Sequence, residues 1–137
     1  WIPAKDLDFG YRSSLFQDRS WIILEAEFNC VEEDPDIIQQ KIYSNIQERL
    51  LKQPLRDKTF GSVFKNPEGT YAGHLLEKSG FRGKQFGSIQ FSQKHSNFLV
   101  NLGDSSFSDL SDLLHSTQQN VKKETGHSLE LEVILVS

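Results

Sequence analysis

The chain has 137 residues, 36% of them hydrophobic and 25% charged, with a formal net charge of −4. That suits a single hydrophobic core and argues against a nucleic-acid partner, which needs a basic surface. The apolar runs at 21–24 and 133–136 are far too short to cross a bilayer, and Cys30, the only cysteine, excludes an intrachain disulfide and fits a reducing compartment.

Residues 1–18 mix single apolar residues with Asp6, Asp8, Gly10, Arg12 and Ser13, and read as a loop or the tail of a preceding unit. Residues 21–28 then alternate. Ile22, Leu24, Ala26 and Phe28 share one face, Glu25 and Glu27 the other, which predicts a half-buried strand. Asp34-Pro35 marks a helix start. Ile38, Ile42, Ile46 and Leu50 follow at steps of four and predict an amphipathic helix ending near Lys52. No period holds from 55 to 70, a loop long enough to be functional. Residues 71–79 predict a short helix closed by Gly80. Residues 86–91 and 97–101 predict two short strands, with Gln93-Lys94-His95-Ser96 between them. Ser106 with Asp109 predicts the capped start of a second amphipathic helix, running through Leu110, Leu114, Thr117 and Val121 to Gly126. Residues 129–136 alternate again and predict a final strand carrying Glu130 and Glu132 on one face. The order β-α-α-β-β-α-β predicts an α+β fold: an antiparallel or mixed sheet of about four strands with helices packed on one face.

The richest chemistry lies in Gly61-Ser62-Val63-Phe64-Lys65-Asn66-Pro67, where a hydroxyl, an ammonium and an amide stand close together on a segment that Pro67 terminates. Glu132 has two readings. It is a solvent-facing residue on a half-exposed strand, or a partly buried carboxylate that needs a partner, with Arg12 and Lys52 as candidates. His74, His95, His115 and His127 have no metal-ligand spacing, so no metal is expected. His95 is set apart only by its neighbours Lys94, Ser96 and Asn97. The glycines at 61, 80 and 83 lack the spacing of a phosphate-binding motif. The chain begins at Trp1 and contains no methionine, which reads as an excised piece of a longer protein.

In order along the chain, these segments resemble the UDP-N-acetylenolpyruvoylglucosamine reductases. The resemblance rests on the Gly61 to Pro67 run, Ala72-Gly73 with Leu75-Leu76-Glu77, Gly80 to Gly83, the stretch from Ser92 to Asn101, and the closing Leu129-Glu130-Leu131-Glu132-Val133. Phe9-Gly10-Tyr11-Arg12-Ser13-Ser14 is similar to the family's link between flavin and substrate domains. The resemblance implies an enzyme of bacterial peptidoglycan synthesis in the cytoplasm. It uses FAD and NADPH to reduce UDP-N-acetylglucosamine enolpyruvate to UDP-N-acetylmuramate. It implies that residues 1–18 are the tail of the FAD-binding domain, that 19–137 are the substrate-binding domain, and that the main FAD-binding domain, with most cofactor contacts, is absent from this chain.

By the same resemblance Ser62 is the proton-donating serine, Arg12 the charge-stabilising arginine and Glu132 the C-terminal catalytic glutamate. Tyr11, Lys52, Asn66 and His95 fall at substrate-contact positions, the last being glutamine in some members. The short spacing between Arg12 and Ser62 is similar to the subgroup lacking the extra substrate-covering loop. Thr59-Phe60 departs from the small residues usual before Gly61, so a shifted serine loop is expected. Two other readings stand beside this one: a non-catalytic α+β binding module, and the cap domain of another FAD-dependent oxidoreductase.

Overall fold

The computed structural model describes residues 1–17 and 19–136. The chain divides into two compact units, Trp1–Asp34 and Pro35–Ser137. In the first, a short 3-10 turn at Ala4–Asp6 precedes a tight reversal in which Gly10 and Ser13 pair across Tyr11 and Arg12. The strand predicted over 21–28 is not formed, and its side chains are exposed. A strand exists only as part of a ladder. Alternation supplies the two faces of residues 21–28, but among the described residues no ladder reaches them.

The second unit starts with helix α1, Pro35–Lys52. Strand β1 is Thr59–Ser62, helix α2 is Ala72–Lys78, strands β2, β3 and β4 are Gln85–Phe86, Ile89–Phe91 and Phe98–Asn101, and helix α3 is Phe107–Thr125. The strands form one antiparallel sheet in the order β1-β4-β3-β2. The fold is α+β, as the sequence predicts, but the single strand predicted over 86–91 turns back at Gly87-Ser88 into the paired strands β2 and β3, and β1 is unexpected. β1 lies inside the stretch that shows no period.

The register explains why. Thr59 pairs with Val100 and Ser62 with Phe98, so β1 holds one more residue than the matching step of β4. That is a β-bulge, and it puts Thr59 and Ser62 on the same face although they are three apart. Period-two alternation cannot survive it. Gly61 takes the turn at φ +91, where a Cβ would meet no atom but the backbone conformation disfavours any L side chain.

The predicted strand over 129–136 contracts to one bridge, Phe64 with Leu131, flanked by Lys65 N–H donating to Glu130 O and Glu132 N–H to Val63 O, both at 2.8 Å. Residues 133–136 find no ladder neighbour among the described residues and form no strand.

The core gathers Leu75 and Leu76 of α2, Leu113, Leu114 and Val121 of α3, Ile89 and Phe91 of β3, and Leu99 of β4 around Val63 and Phe64. The helix ends follow from sequence. Ser106 Oγ accepts from Asp109 N–H at 3.1 Å, while the Asp109 carboxylate accepts from Ser106 N–H at 3.1 Å. This reciprocal box satisfies donors that the first turn of α3 would otherwise leave open. At the end of α2, Gly80 N–H reaches Glu77 O and Phe81 N–H reaches Leu76 O, at 3.0 and 2.9 Å. This closing pattern needs the left-handed residue that Gly80 supplies at φ +76.

Candidate active site

Ser62 follows the bulge, and Glu132 lies on the segment paired beside it. Both are half-buried. Among the described residues they line one open cleft of roughly 680 Å³ with Phe60, Phe107, Leu110 and residues 133–136. That volume is in the range that holds a small-molecule ligand. The walls are apolar, and the hydroxyl and the carboxylate are the polar side chains in the lining. Phe60 is part of the cleft wall, and the register irregularity falls between Thr59 and Ser62. The half-burial of Glu132 favours the partly buried reading of this carboxylate over the solvent-facing one.

The structure does not place the other predicted residues in that lining. Lys52, at the exposed end of α1, pairs with Glu48 one turn back. Asn66 Oδ1 accepts the Ala72 N–H at 3.0 Å, so this amide orients the start of α2. His95 sits in the turn before β4. Its Nδ1 accepts the Asn97 N–H at 3.2 Å, which leaves the ring proton on Nε2, and its ring centroid is 4.7 Å from that of Phe98. Burial, followed by the positive charge of Arg82, acts to hold the imidazole below the ordinary histidine value, against its own backbone hydrogen bond. At neutral pH His95 is therefore a neutral donor. Ser92 Oγ accepts from Lys94 N–H and His95 N–H, and Arg82 Nε donates to Gln93 O at 2.9 Å, so the His95 turn is held from within and from β2's side of the chain.

Tyr11 and Arg12 belong to the first unit. Arg12 has φ +56, in the left-handed region that a non-glycine residue adopts at a cost, and its guanidinium lies 5.3 Å from the Tyr11 ring centroid. Gln17 Nε2 donates to Arg12 O at 2.9 Å and Gln17 Oε1 accepts from Ser14 N–H at 2.7 Å, closing the reversal that presents both side chains.

Two site elements escaped the sequence reading. One is the apolar wall from the first turn of α3, Phe107 and Leu110, which reads there only as helix stripe. The other is Asn97, 3% exposed. Its carboxamide pairs with both polar groups of the Phe64 backbone, Oδ1 accepting from N–H at 3.0 Å and Nδ2 donating to O at 2.8 Å. A polar residue directly before the apolar Phe98-Leu99-Val100 was the available signal, and a glycine inside a would-be strand was the signal for the bulge.

Residues 53–136 match the family model described as UDP-N-acetylenolpyruvoylglucosamine reductase, C-terminal domain. A UDP-N-acetylenolpyruvoylglucosamine reductase of Exiguobacterium sibiricum is 39% identical over 135 residues, covering 98% of this chain and 44% of that protein. The enzyme of that name from Halalkalibacterium halodurans is 38% identical, covering 99% of this chain and 45% of its own length. The crystal structure of the UDP-N-acetylenolpyruvylglucosamine reductase MurB from Thermus caldophilus superposes with a TM-score of 0.69 at 30% identity, over 93% of this chain and 45% of that one. The chain thus spans less than half the length of the relatives it matches. With the matched region containing both Ser62 and Glu132, the chain belongs to the UDP-N-acetylenolpyruvoylglucosamine reductase family, of which it carries the C-terminal domain.

Proposed function

We propose that this chain is the substrate-binding part of a bacterial, cytoplasmic oxidoreductase that reduces UDP-N-acetylglucosamine enolpyruvate to UDP-N-acetylmuramate with FAD and NADPH, in peptidoglycan synthesis. The observation that carries this reading is the meeting of Ser62 and Glu132 at one apolar-walled cleft inside the matched domain. On this reading residues 1–18 close the flavin domain and 19–137 bind substrate. Through the family resemblance, FAD and NADPH are assigned to the flavin domain, most of which this chain does not carry. FAD bound there and reduced by NADPH would supply the hydride, and this chain would manage charge and proton.

Hydride addition to a vinyl carbon leaves negative charge on the neighbouring carbon and its carboxylate. Ser62 Oγ donates the proton to that carbon. A hydroxyl is a weak acid, but a carbanion is strong enough a base to take its proton when the two are held in place. Arg12 grips the carboxylate in a bidentate pair. Its left-handed backbone is the kind of local strain that persists where a side chain must be presented in one direction. Glu132 orients the intermediate or its proton path. The apolar walls beside Ser62 and Glu132 strengthen their interactions, and a preorganised donor of this kind contributes about 3 kcal/mol to the barrier reduction. Tyr11, Lys52, Asn66 and His95 contact the nucleotide sugar. His95 does so as a neutral Nε2–H donor, a role glutamine also fills.

Visible spectra of the intact protein containing this chain test the reading. A flavin band that bleaches with NADPH under anaerobic conditions and returns on adding UDP-N-acetylglucosamine enolpyruvate supports it. A flavin that ignores that substrate moves the chain to another oxidoreductase, and a protein that takes up no FAD leaves a binding module. The 137-residue chain alone is expected to oxidise no NADPH in the presence of substrate.

A further inference from the structure

We infer that Asn97 is a positioning residue for Ser62, acting through the backbone of Phe64. The inference rests on the proposed role of Ser62 as proton donor. Residues 63–65 run between two neighbours. On one side residues 130–132 pair with them through the 2.8 Å bonds of Lys65 N–H to Glu130 O and Glu132 N–H to Val63 O. On the other side regular pairing with β4 stops at Ser62 and Phe98. There Asn97 takes over. Its backbone O accepts from Val63 N–H at 2.9 Å, and its carboxamide then stands in for the missing strand, giving Phe64 both an acceptor and a donor.

The segment that leaves the bulge is thereby fixed on both edges. Ser62, one residue before it, and Glu132, bonded to it, are held in register with each other. The task demands a side chain with a donor and an acceptor on one fork at this length. Asparagine has that fork. Aspartate loses the donor at neutral pH, and alanine leaves two buried backbone groups unpaired.

The test is kinetic, on the intact protein. Asn97→Ala should lower kcat by about a hundredfold, the cost of a displaced reacting group, with KM changed far less. In a Ser62→Ala background the same change should have a much smaller further effect, because most of its action passes through that hydroxyl. Asn97→Asp supplies the second readout and keeps the size of the side chain. Its carboxyl faces the Phe64 carbonyl and a buried surround, which favour the protonated form, against the Phe64 N–H, which favours the charged one. A protonated carboxyl restores the donor-acceptor fork, so the activity of this variant relative to the parent should rise as pH falls. Additive losses in the double variant, or an Asn97→Asp profile parallel to the parent, overturn the inference. A Ser62→Ala protein with undiminished activity instead overturns the proton-donor role on which it rests.

Discussion

Helices α1 and α3 are of nearly equal length, 18 and 19 residues, and both carry apolar side chains at helical steps. α3 buries Leu113, Leu114, Thr117 and Val121, whereas α1 buries none, and its Ile38, Ile42 and Ile46 are all exposed. Periodicity therefore fixes that a helix forms and which face is apolar. What lies opposite decides whether that face contributes stability. The stripe of α3 shares a core with α2 and the sheet, while that of α1 is covered by no element described here.

The sharpest way to break the comparison is to truncate the buried stripe. Leu114→Ala in this chain should cost about 2–5 kcal/mol, from lost burial plus the cavity left behind. Denaturant melts measure it, and a loss below 1 kcal/mol would mean the α3 face packs loosely. Thr117 sharpens the same face from the opposite direction. Its Oγ is fully buried and has no hydrogen-bond partner among the described residues. Thr117→Val removes an unsatisfied hydroxyl at nearly constant shape and should raise stability by about 1 kcal/mol.

A smaller effect comes from His95. Its imidazole is held below the ordinary histidine value, chiefly by burial, so between the two values the unfolded chain is protonated and the folded chain is not. Stability is then fully present above the ordinary value near pH 6.5 and falls as pH drops through it. Thermal melts from pH 7.5 to 5.5 should show a larger loss for the parent than for His95→Gln, and equal losses would remove this group from the account. The smallest effect belongs to α1. Ile42→Ser in this chain should stay within about 0.5 kcal/mol of the parent, as exposed substitutions do, and a core-sized loss would show that its stripe is covered after all.

The legible parts of the fold are those written locally. Asp34-Pro35, the Ser106-Asp109 box, Gly80 and Gly126 mark helix ends because each satisfies or ends a backbone ladder within a few residues of itself. Strand β1 was illegible because its bulge erases alternation within four residues. Residues 21–28 were over-read because a strand needs a neighbour that sequence cannot supply. In the candidate site, the ordered resemblance of whole segments singles out Ser62 and Glu132, and both line one cleft. The grip of Asn97 on Phe64 spans 33 residues of sequence, and no local pattern encodes a bond of that kind.

The central claim is that Ser62 delivers a proton to a carbanion formed on a nucleotide sugar. Its most direct test is single-turnover reoxidation of the NADPH-reduced intact protein by UDP-N-acetylglucosamine enolpyruvate, in the parent and in Ser62→Ala. The account predicts that both proteins bleach with NADPH at similar rates, while substrate-driven return of the flavin band, followed with product formation, slows by about 10²–10⁴-fold in the variant, as expected for loss of a general acid. Equal return and equal product formation in the two proteins would contradict it.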